Sequence, residues 1–330
     1  MQLQRWPIAW SVIFLLLNSS TVCAQGQRAR LPFGSPLSKT PAALQTRQVP
    51  EAQALTTTFT FGTIDFPNAP DSDAQAINDK NEIVGAYGGD LPDFRLGLPA
   101  YGFVQKGNSF KKIAYPSAPI TVLFGVNSLA EAVGFYSLDP ADNSGHGFTL
   151  VGTTYTTIDY PGAQYTVLVA INKSGQMIAQ GCFSGEYFCR SYLLNSGTFT
   201  QIMFPGAAGT LAYGINDSGE VVGYYSNDKV TYHGFTLIGG IYTSVDYPGA
   251  TDSYLYGLNN SGQIVGAYDY TMGSTTHGFL LDSGTFTSFD LPYAGVVWTY
   301  PFGINDKGRI VGQYWDSSLN YTFGFSAQVH

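Results

Sequence analysis

The chain has 330 residues, of which 12% are charged and 15% aromatic, with 39 glycines and a formal net charge of -8. Residues 1–51 hold five basic side chains against one acid, so the rest of the chain carries 10 basic and 22 acidic residues. A globule that acidic repels phosphate backbones, which excludes nucleic acid as a partner, and abundant Tyr, Thr, Val and Gly point to an all-β fold.

The chain opens on a segment with the marks of export. Arg5 precedes an apolar run from Ile8 to Leu17, and Val22-Cys23-Ala24 fits a small-x-small cleavage site. Residues 1–24 therefore read as a signal peptide. A lipid anchor on Cys23 is disfavoured, because Gly, Ala or Ser is expected directly before a lipidated cysteine and Val22 stands there. No other segment is long and apolar enough for a membrane helix. Residues 25–55, rich in Gln, Pro, Ala, Arg and Ser, read as a disordered linker.

From residue 56 the sequence repeats. AINDKNEIVGAY (76–87), GVNSLAEAVGFY (125–136), AINKSGQMIAQG (170–181), GINDSGEVVGYY (214–225), GLNNSGQIVGAY (257–268) and GINDKGRIVGQY (303–314) are one phrase. Their asparagines, Asn78, Asn127, Asn172, Asn216, Asn259 and Asn305, are 49, 45, 44, 43 and 46 residues apart, a period of solenoids and propellers. Each phrase predicts a hairpin: strand A ending at Asn, a tight turn, and strand B. A second hairpin follows, as in HGFTLIGGIYTSVDYPGA (233–250). Its strand C begins at Gly-Phe, and its strand D ends before Pro, which stops the ladder. The D-to-A connection spans about ten residues, suited to a crossing between blades. The first element is a spare D, Phe59 to Phe66, and the last a C, Phe323 to Val329. Pairing them completes six four-stranded blades of a closed β-propeller over 56–330 and removes the open edges that the alternative, a β-solenoid, would leave.

The phrases GINDSGEVVGYY and HGF are similar to the bacterial extracellular HAF-type repeat family, over about 57–329. Here His-Gly-Phe (146, 233, 277) replaces His-Ala-Phe, and Asp-Tyr-Pro-Gly-Ala replaces the family's Leu-Gly-rich segment. The resemblance implies an exported repeat protein with a propeller-like fold and no defined activity, so it carries no functional residue across.

The chemistry legible in the sequence is sparse. His146, His233 and His277 share one repeat slot with Tyr101, Arg190 and Phe323, which suits a packed strand start better than a metal site. Asp65, Asp159, Asp246 and Asp290 share another with Ala114 and Met203 and read as turn acceptors. The Asn-Asp-Ser-Gly turns lack calcium-loop spacing. No nucleophile elbow or phosphate loop is present, so no catalytic residue, metal ligand or cofactor is assigned. Cys182 and Cys189, close in one hairpin, predict a disulfide, with two buried free thiols as the alternative. The B–C and D–A loops share one face and are the more varied set. There Asp93, Asp142, Tyr254, Trp298, Tyr300 and Trp315 place aromatics beside acids, a pairing suited to a glycan or an extracellular protein partner. A binding module is thus expected first, with a lyase or glycosidase at the propeller mouth and a structural envelope protein as alternatives.

Overall fold

The computed structural model describes residues 57–69, 71–88, 99–139, 144–271, 275–319 and 321–330. The expected signal peptide and linker lie outside the described residues, as do Asp93 and Asp142. The described chain is all strands and turns. No helix among the described residues is long and apolar enough to cross a membrane.

The strands form an A–B–C–D meander repeated around a channel. Blade 1 spans 71–113, blade 2 120–158, blade 3 165–202, blade 4 209–244 and blade 5 252–289. Blade 6 joins 296–329 to Phe59–Ile64. The spare D strand pairs antiparallel with the last C strand, Tyr321–Val329, from Phe59 opposite Val329 to Ile64 opposite Gly324. Backbone bonds exchanged between Thr58 and His330 fasten the end of that ladder.

The ladders give four separate four-stranded sheets and one of eight strands, rather than six separate sheets. The eight-stranded sheet is blades 1 and 2, fused by one parallel bridge between Ala100 and Ile120. The same approach of a C-strand start to the next A strand recurs as isolated bridges, Gly145 to Tyr165 and Thr276 to Trp298. Only in the first pair do both partners lie inside ladders.

Each repeated residue type has a physical reason. Asn216 Oδ1 accepts the backbone N–H groups of Ser218 and Glu220, closing the A–B turn, while its Nδ2 donates to Glu220 Oε2. The same Nδ2 also reaches the carbonyl of the next blade's asparagine. Those contacts run from Asn78 to Asn127, Asn172, Asn216, Asn259 and Asn305 and return from Asn305 to Asn78, at 2.9–3.4 Å. Six blades therefore close one hydrogen-bonded ring. The acids of the Asn-Asp turns extend it: Asp217 accepts from Lys173 N–H, and Asp306 from Asn260 N–H.

Every A strand carries a bulge three residues before its asparagine, at Gln75, Phe124, Val169, Tyr213, Tyr256 and Phe302. The next residue is Gly or Ala because adjacent A strands touch there. A Cβ on Gly125 would lie 2.9 Å from Ala170 Cα, closer than packed atoms come. The Phe of Gly-Phe is wholly buried at Phe103, Phe148, Phe235, Phe279 and Phe325, and each such ring contributes about 1.5–3 kcal/mol by leaving water.

Candidate binding face

The A–B turns are short and alike, whereas the B–C loops differ from blade to blade, so differences between repeats concentrate on one face. The described B–C loops each expose a large apolar side chain there. These are Leu138 in blade 2, Tyr187 in blade 3, Val230 in blade 4, Tyr270 in blade 5, and Leu319 with the adjoining Tyr321 in blade 6, all between 42% and 56% exposed. On a lone monomer such groups scatter; one in each described loop of one face is a pattern.

Several of these loops are held by their own chemistry. In blade 3 the Cys182–Cys189 disulfide ties strand B to the start of strand C, and Arg190 pairs with Glu186 inside that loop. Tyr187 stands edge-on to Phe188 at 4.8 Å, and its hydroxyl donates to the Lys229 carbonyl of the neighbouring loop. In blade 4 Asp228 Oδ1 accepts the N–H groups of Val230 and Thr231 at 2.8 Å. Those bonds hold its carboxyl down at about 2. In blade 6 Asp316 accepts from the Ser318 hydroxyl, and then from the Ser318 and Leu319 N–H groups, and is lowered by them. Tyr187, Val230 and Leu319 are thus presented on ordered loops, which reduces the entropy lost on binding.

Beside the loops sit three histidine–aspartate pairs: His146 with Asp159 (2.9 Å), His233 with Asp246 (3.1 Å) and His277 with Asp290 (2.8 Å). Each imidazole packs on a B-strand tyrosine, Tyr136, Tyr225 or Tyr268. The tyrosine in turn stacks on the aromatic ring of the Pro turn, Tyr115, Phe204 or Tyr247, at 3.6–3.7 Å. Sequence reasoning treats the His and Asp slots separately and so misses their partnership. The available signal was a constant spacing of 13, and the loss of both residues together at Tyr101/Ala114 and Arg190/Met203.

The expected aromatic residues lie beneath this face rather than on it. Tyr254, Trp298 and Tyr300 are buried inside strands A of blades 5 and 6, Asp252–Leu258 and Val296–Ile304. Trp315 is half-buried and stacks on Trp298 at 4.6 Å. The structure brings that pair together and sets Tyr254 perpendicular to Tyr224 at 5.1 Å. The D–A connections are six or seven residues rather than about ten, because strand A begins earlier. Its second residue, such as Ser253, accepts the N–H of the Pro-turn aromatic, Tyr247, and draws the ladder back over polar residues.

In blade 5 the slots that hold Trp298 and Trp315 in blade 6 hold acids. Asp252 and Asp269 face each other in register, both buried. Asp252 Oδ1 accepts the Tyr232 N–H of blade 4 at 2.8 Å, joining two blades. Burial and the neighbouring Asp252 raise Asp269 to about 7, and burial raises Asp252 as well. Asp269 shares its slot with Gly88, Ser137, Cys182 and Ser226, and that break in the pattern was the signal available in the sequence. The pair is covered by protein, so it serves the joint between blades and cannot reach a substrate on the face. No group of three or more His, Cys, Asp or Glu among the described residues could hold a metal ion.

Neither a protein-family description nor a curated protein matches the sequence. Solved structures do. A protein of unknown function from Dyadobacter fermentans aligns with a TM-score of 0.53 at 11% identity, over 83% of this chain and 99% of that one. TolB from Acinetobacter baumannii aligns at 0.48 and 12% identity, over 79% and 65% of the two chains. A six-bladed fungal lectin from Aleuria aurantia with a fucose recognition mode aligns at 0.47 and 11% identity, over 76% and 89%. At such identity the likeness is one of fold.

Proposed function

We propose that this chain is an exported propeller of the HAF-repeat type that acts as a binding module, presenting its B–C loop face to a protein partner. The carrying observation is the exposed apolar side chain in each described B–C loop, on loops clipped by a disulfide, Asp228 and Asp316. Rigid aromatic and aliphatic anchors with polar surroundings suit a protein surface. The disulfide supports an oxidising compartment. The exposed Tyr187, Tyr270 and Tyr321, as stacking platforms, make a glycan the competing reading.

The test compares two double variants of the full chain. Tyr187→Asp with Val230→Asp changes the loop face, and Ile238→Asp with Ile241→Asp changes the exposed C–D turn opposite. Affinity capture from envelope extracts is expected to retain a partner with the wild type and the turn variant. The loop variant should lose it by at least about tenfold. Equal capture by both variants refutes the reading. A thermal shift with fucosylated or other glycans, abolished by the loop variant, replaces the protein partner with a sugar.

A further inference from the structure

The central channel is a second place with chemistry of its own, on surfaces that the loop face does not use. All six bulge residues of the A strands line a cavity of about 140 Å³. Four are aromatic: Phe124, Tyr213, Tyr256 and Phe302. Tyr256 meets Tyr213 at 5.4 Å and Phe302 at 5.2 Å, both nearly perpendicular, so successive rings turn around the channel instead of stacking flat. Asp73 lines the same cavity and is 93% removed from solvent, with a relative exposure of 7%. Its Oδ1 accepts the Ala86 N–H at 2.6 Å and its Oδ2 the Gln75 side-chain N–H at 3.0 Å, which leaves lone pairs on both oxygens. The described lining contains no Lys, Arg or His to balance that carboxylate. Thr322, 1% exposed, also lines the cavity, and its Oγ1 has no hydrogen-bond partner.

Size and chemistry narrow the occupant. A cavity of roughly 150 Å³ accepts benzene, a molecule of six heavy atoms, so the narrow part of the channel suits a compact ligand. A calcium ion seeks about 6–8 oxygen ligands, and one carboxylate with Gln75, Gln313 and Thr322 as the other non-aromatic side-chain oxygens of the lining does not supply them. Ring faces and one acid do suit a positive charge spread over methyl groups, as in aromatic cages for quaternary ammonium.

We infer that the channel binds a compact methylated ammonium ion, with Asp73 as counter-ion and Phe124, Tyr213, Tyr256 and Phe302 as its collar. The site lies apart from the B–C loops, so it stands or falls independently of the loop-face partner. The probe is tetramethylammonium chloride, titrated calorimetrically into the full chain, with tert-butanol as the neutral molecule of similar shape and sodium chloride as the salt control. Saturable binding is expected for tetramethylammonium only. Asp73→Asn keeps an acceptor for the Ala86 N–H and should weaken binding at least about tenfold, and Phe302→Leu should weaken it similarly. No saturable heat with the wild type overturns the site, as does equal binding of tert-butanol. If Asp73→Asn fails to fold, Phe302→Leu decides: undiminished affinity there removes the collar and the inference with it.

Discussion

At the scale of single residues, the side chains that depart from their repeat slot carry the most information. Asp252 and Asp269 were hard to value because Thr251-Asp252-Ser253 has the polarity of a loop. Its polarity is local hydrogen bonding: Asp252 accepts from Tyr232 N–H and Ser253 from Tyr247 N–H, so polar residues begin an ordered strand. The same ambiguity placed Tyr254, Trp298 and Tyr300 on a surface that they in fact support from below. Raised carboxyls make pH the readout. Asp269 titrates near 7 and Asp73 near 6 in the fold, against 3.8 when free. The folded state therefore holds protons that the unfolded chain has released, and stability falls as pH rises from about 4 to about 7. Urea midpoints across that range should show the decline in the wild type. In Asp269→Asn the decline should shrink, and the variant should be the more stable protein at pH 7.5.

At the scale of elements, the A–B hairpin was readable, because its asparagine recurs in all six phrases, followed by a turn glycine in four of them and by Glu or Gln in five. What no spacing could convey is that each asparagine also spans to the next blade. Asn259 makes four bonds, three within its own turn, to the N–H groups of Ser261 and Gln263 and to Gln263 Oε1, and one across to the Asn305 carbonyl of the next blade. Asn259→Ala leaves the buried Asn305 carbonyl and the half-buried turn groups without their partner and should cost about 3 kcal/mol by chemical denaturation. Asp217→Ala alters exposed turn contacts and should cost under about 1 kcal/mol. The cysteine pair was equally legible, since two half-cystines seven residues apart in one hairpin have few other geometries open to them.

At the scale of the whole molecule, the repeat count and the two unmatched end strands were enough to propose closure, and the ring of asparagine contacts and the paired ends realise it. The fusion of blades 1 and 2 was not legible, because a single bridge depends on where two strand ends happen to meet. Closure also means that the fold depends on a short segment far from the rest of its sheet. Deleting residues 57–64 should bare the edge of the Tyr321–Val329 strand, open the ring beside blade 1 and yield a less stable, self-associating chain. Size-exclusion chromatography with thermal unfolding would show this; a monomer with unchanged melting would contradict the account of closure.

That pairing also sets an order in time. Blades 1 to 5 can assemble as each meander is completed, since their strands are close neighbours in sequence. The segment Phe59–Ile64 has to wait for Gly324 to Val329. At about 5–20 residues per second, synthesis of the intervening chain alone lasts roughly 15–50 s. Throughout that interval an alternating Phe-Thr-Phe strand is without its partner, the kind of exposed edge that binds other chains. The last ladder to form is therefore both the step that seals the ring and the interval in which the chain is most open to misassembly.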